Sequence, residues 1–98
     1  MKKEEISKYE SLIDTRDKLV ELREELKRNL YNILRRYGIE TEKEFLFSKK
    51  GLEKALSYEI GDTAKVELKV CIDQIKSLTE SIEKIERFLL INTKDERL

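Results

Sequence analysis

Three kinds of side chain in this sequence could do chemistry: paired carboxylates, a single thiol and a cluster of cations. Glu21 with Glu25 and Glu80 with Glu83 sit at helical spacing, which puts each pair on one face. Such pairs can divide acid and base work or hold a divalent metal. Carboxylate-bridged metal bundles, however, also use Glu-x-x-His motifs, and this chain has no histidine. The same absence excludes a Ser-His-Asp triad, a Cys-His pair and a histidine-ligated zinc site. One cysteine, Cys71, allows neither an intrachain disulfide nor a multi-cysteine metal site. Three glycines and no GxGxxG or GxxxxGK pattern leave no phosphate-cradling loop. The carboxylate pairs therefore read as a solvated charged face, and Cys71 as a small buried hydrophobe. No catalytic residue, metal ligand, cofactor or small-molecule substrate is assigned. The expectation is a protein that is not an enzyme.

The cations are more informative. Arg23, Lys27, Arg28, Arg35 and Arg36 outnumber Glu24 and Glu25 over one stretch, with Tyr31 and Tyr37 interleaved. Lys49 and Lys50 could join them from farther along the chain. Cations beside aromatic rings suit a phosphate backbone and unstacked bases. The plainer reading is a solvated helix end, where cations also favour the C-terminal dipole. Charge as a whole does not choose, because 21 basic residues balance 21 acidic ones.

These groups must be held by helices. No glycine or proline interrupts Ile6 to Tyr37, and Leu12, Leu19, Leu26 and Ile33 recur every seven residues. Ile6, Ile13 and Val20 form a second row, and Leu22, Leu30 and Tyr37 widen the stripe. This predicts a long helix over about 5–37, with Gly38 past its end. The middle, about 39–60, is broken. Thr41 with Glu44 reads as a capping box, Ser48 as the cap of a second short helix, and Gly61 as its end. A second long helix is expected over about 62–91. There Leu68, Ile75, Ile82 and Leu89 interleave with Cys71, Leu78 and Ile85, a heptad seam over about four repeats. The tail, 92–98, is polar and expected to fray.

The fold class predicted is all-α: one domain over 1–98, a long antiparallel helical hairpin with a short helical connector, pairing into a four-helix bundle dimer. The dimer and coiled-coil seam is Leu12, Leu19, Leu26, Ile33, Leu68, Cys71, Ile75, Leu78, Ile82, Ile85 and Leu89. A lone hairpin would leave Ile6, Ile13, Val20, Val66, Ile72 or Phe88 partly in water, so a homodimer is the expected partner state. No apolar run approaches the roughly 20 residues that span a bilayer. No apolar stretch follows the basic start either, so no membrane contact and a cytoplasmic location are expected. Glu, Lys and Arg dominate the 43% of charged residues, a bias found in ion-pair-rich thermophile proteins.

Most of the chain resembles a known family. Arg16, Leu19, Val20, Arg23, Leu26, Lys27, Ile33, Leu34 and Gly38 fall on an R-x-x-L-V-x-x-R-x-x-L-K-N pattern followed by I-x-x-L-L and glycine. That pattern is similar to the helix after the nuclease-like domain of insertion-sequence-110 family transposases. Arg28 departs from it, with the asparagine one place later at Asn29. Phe45-Leu46-Phe47-Ser48-Lys49-Lys50-Gly51-Leu52 resembles the family's L-F-x-K-K-G segment, and Lys94-Asp95-Glu96-Arg97-Leu98 the lead-in to its C-terminal domain. The resemblance implies a coiled-coil segment lying between two catalytic domains, a RuvC-like domain with an acidic DEDD tetrad and a domain with a nucleophilic serine. Neither falls in the matched region. The chain thus looks like an assembly module or transposase remnant, tied to transposition and DNA recombination by this resemblance alone. The alternative is a nucleic-acid-binding accessory protein making weak DNA or RNA contact through Arg23, Lys27, Arg28, Arg35, Arg36, Lys49 and Lys50. A third reading is a helical regulator of another coiled coil.

Overall fold

The computed structural model describes the backbone of residues 3–93 and the side chains of residues 8–92. The Ile6 side chain and the Lys94–Leu98 segment lie outside the described residues. Two long helices, α1 (Lys3–Arg36) and α4 (Asp62–Thr93), pack antiparallel. Between them lie two short helices, α2 (Lys43–Leu46) and α3 (Lys49–Ala55). The molecule is an all-α hairpin with principal extents of 56 × 19 × 17 Å.

α1 forms because its residues are strong helix formers with apolar positions on one stripe. It ends in a Schellman motif. Gly38 adopts φ +76°, its N–H donates to the Arg35 carbonyl at 3.0 Å, and the Ile39 N–H donates to the Leu34 carbonyl at 2.9 Å. The left-handed backbone explains the glycine.

The connector differs in detail from expectation. The Thr41–Glu44 capping box does not form. Glu42 occupies the N-cap of α2 and makes no side-chain capping bond. Ser48 does cap α3: its Oγ accepts from the Gly51 N–H at 3.1 Å and donates to the Phe45 carbonyl at 2.6 Å. α3 stops at Ala55, well before Gly61, because Leu56 and Ser57 close the last turn through bonds to the Glu53 and Lys54 carbonyls. Gly61, at φ +91°, instead turns the chain into α4. α4 continues to Thr93, so Asn92 and Thr93, expected in the tail, are helical.

The core sits at the connector end. Leu46, Leu52 and Ala55 form a third layer over Leu30, Ile33 and Leu34 of α1 and Leu68, Ile72 and Ile75 of α4. Ile72 is fully buried there. The expectation that it would be left partly in water is corrected: the connector covers it, so no second copy is needed at that site. Toward the other end, among the described residues, the two long helices have only each other.

Candidate functional site

The heptad residues meet inside one chain. Ile33, Leu68, Cys71, Ile75 and Ile82 are buried, whereas Leu12, Leu19, Leu26, Leu78, Ile85 and Leu89 are half-buried. Ile33, Leu68, Cys71 and Ile75 belong to the core that α2 and α3 cover, Ile82 is buried between the long helices outside that core, and the flanks of the seam there stay open. Exposed apolar side chains line the open part, namely Ile13, Leu22 and Phe88, with Leu90 and Ile91 near the end. Val20 is half-buried, and Val66 is exposed beside the connector.

Cross-helix contacts set the level of one helix against the other. Arg23 Nη1 donates to Thr79 Oγ1 at 3.3 Å, and Arg16 donates from Nε and Nη2 to Glu86 Oε2 at 2.9 and 2.8 Å. Arg16 also pairs with Asp17 at 3.0 Å. The Glu86 carboxylate, then Asp17, raises the Arg16 pKa. The pair is water-exposed and fixes register more than it adds stability. On the opposite side, Asn29 Nδ2 reaches Cys71 Sγ at 3.9 Å, and the thiol donates to the Leu26 carbonyl at 3.3 Å.

These contacts distinguish two faces of the hairpin. The connector lies on the side of Lys27, Tyr31, Lys76 and Thr79. The other side carries Asn29 and, at successive heptad steps toward the N-terminus, Leu22 and Thr15 from α1. From α4 it carries Gln74, Leu78, Ser81, Ile85 and Phe88. All these residues are uncharged. Among the positions in the α1 row, Lys18 and Glu25 bring the charges.

The structure divides the seven basic candidates. Lys27, Arg28 and Arg35 line one groove of about 300 Å³ together with Tyr31, Phe47 and Lys43. Glu24 is its acidic member, 3.5 Å from Lys27. Lys27 lies 5.3 Å from the Phe47 ring centre, while Arg35 and Lys43 lie 5.8 and 5.0 Å from that of Tyr31. Arg23 and Lys49 line a neighbouring groove shared with Glu53, Glu80 and Glu83, where carboxylates offset the cations. Arg36 and Lys50 are exposed and line neither groove. Sequence reasoning missed Lys43 and Phe47, because only the fold of the connector brings them beside Tyr31. Their signal was present in the Lys-x-x-x-Phe spacing across α2 and its C-cap, which puts both on the face turned to α1.

Glu21, Glu25, Glu80 and Glu83 are all solvent-exposed. Among the described residues, no group of three or more Cys, Asp or Glu side chains is placed to hold a metal ion, and no helix is long and apolar enough to cross a membrane. Comparison of the chain with protein-family models, with curated proteins and with solved structures finds no match.

Proposed function

We propose that this chain is a non-catalytic assembly module that works as a homodimer, a counterpart of the helical segment between the nuclease-like and C-terminal domains of insertion-sequence-110 family transposases. The observation that carries the dimer is the open half of the hairpin. Leu22 and Phe88 are about half exposed on a face whose α4 row has no charge from Gln74 to Phe88. Exposed apolar side chains along a row with the half-buried Leu78 and Ile85 suit a protein contact. The connector layer closes the seam at one end, and a second copy supplies the missing layer along the rest. Sedimentation at micromolar concentration is expected to give twice the 11.7 kDa chain mass. A monomer at that concentration rules the module out.

A second reading rests on the Tyr31 groove. Lys27, Arg28, Arg35 and Lys43 surround two rings that can stack on bases, which supports weak, sequence-independent contact with single-stranded nucleic acid. Four phosphate contacts correspond to a salt slope of about −3, or about 50-fold weaker binding between 50 and 200 mM salt. Anisotropy of a labelled oligothymidine checks this against a variant with all four cations changed to glutamine. Equal binding by the two proteins, or none by either, discards the nucleic-acid reading and leaves the protein-contact one.

A further inference from the structure

This face, uncharged but for Lys18 and Glu25, bears on the geometry of pairing as well as on the fact of it. This inference rests on the dimer reading above. On α1 the face runs Thr15, Lys18, Leu22, Glu25 and Asn29, in steps of three and four residues. Lys18 and Glu25 stand almost symmetrically about Leu22, with opposite charge. Both are solvent-exposed, and among the described residues neither has an ion-pair partner in its own chain. Charges placed on an otherwise uncharged docking row oppose association unless the partner neutralises them.

A two-fold interface is isologous: where residue i meets residue j, residue j also meets residue i. We propose that a second copy docks on this face with its α1 antiparallel to the first, the two-fold axis passing beside Leu22. Lys18 then meets Glu25 of the second copy, and Glu25 meets its Lys18. The Arg23–Thr79 contact puts Leu22 at the level of residues 79–81 of α4. The same axis therefore passes beside Ser81, the small side chain at the middle of the α4 row, and brings Leu78 opposite Ile85 of the second copy. The two rows share one axis, so both are satisfied at once. The connectors lie on the outer faces and at opposite ends of the resulting four-helix bundle, where they do not collide. The parallel arrangement fails the charge test, because it sets α1 against α4 and leaves Lys18 and Glu25 facing uncharged residues at the levels of Ile85 and Leu78.

The test is a charge swap read by sedimentation equilibrium. K18E and E25K each place like charges opposite one another twice per dimer, and each is expected to weaken the dimer roughly tenfold. The double variant K18E/E25K keeps the net charge of the parent and exchanges the two signs. It is expected to return to within about threefold of the parent dimer constant. All these positions are exposed, and circular dichroism checks that each variant keeps its helices. A parent dimer that neither single swap weakens, or that the double variant fails to restore, overturns the antiparallel geometry and leaves the dimer itself standing. A parent protein that is monomeric throughout overturns both.

Discussion

Cys71 shows how a residue's chemistry is set by its surroundings. The side chain is 4% exposed, and burial pushes its thiol pKa up from the ordinary 9.0, while the Asn29 amide acts weakly in the other direction. A raised value in the folded state means that folding favours the neutral thiol. That contribution to stability is complete below about pH 9 and is lost as pH rises through the higher folded value. At pH 8 a disulfide exchange reagent is expected to modify native Cys71 far more slowly than the denatured chain, because the thiolate is the nucleophile. Above pH 9 the parent is expected to lose stability relative to Cys71→Ala. Fast labelling of the native thiol would contradict both statements. The basic residues give the complementary lesson. Seven cations looked alike in the sequence, but among them it is Lys27, Arg28 and Arg35 that share a groove with both Tyr31 and Phe47.

The connector is the element with the most local specification. Ser48 ties together two backbone positions, accepting from Gly51 and donating to Phe45. Gly51 is buried, and a Cβ there would collide with the backbone of Phe45 and Leu46. The close approach of α3 to the end of α2 thus requires glycine at 51. Ser48→Ala is expected to cost about 1 kcal/mol, the usual worth of an N-cap. Gly51→Ala is expected to cost more, since backbone must shift to admit the methyl group. Urea unfolding followed by helical circular dichroism measures both. A Gly51→Ala protein as stable as the parent would mean that α3 can move off α2 freely. The cap at Ser48 was legible in the sequence, being a serine ahead of a helical run. The Thr41 capping box was not realised, because the chain enters α2 one residue later and Glu42 takes the cap position.

At the scale of the molecule, the interior and the flank of the hairpin answer differently to the same substitution. Ile82 is 2% exposed between the long helices, so Ile82→Asp buries a carboxylate without a partner. It is expected to destabilise the fold by about 3 kcal/mol or more. Leu22 is 49% exposed, and Leu22→Asp leaves the single-chain fold intact while putting a charge beside the proposed two-fold axis. Thermal unfolding of both variants, with sedimentation of the second, separates folding from assembly. Equal loss of helix in the two would show that hairpin and dimer form as one inseparable unit.

The sequence by itself determined the two long helices, the glycine that ends the first of them, the antiparallel hairpin and the residues of its seam. These follow from heptad spacing, helix propensity and the left-handed freedom of Gly38, all of which act within a few residues along the chain. It also put charge on the α1 row at Lys18 and Glu25. Tertiary structure alone decided where the connector lies. That placement buried Ile72 and closed one end of the seam while leaving the other open. It drew Lys43 and Phe47 to Tyr31, and separated Arg36 and Lys50 from the cations they resemble. The physical reason is that a helix pattern states which residues share a face, but not what will cover it. Covering depends on the path of residues 37–61, set by short caps and turns whose consequences appear only once both long helices are in place.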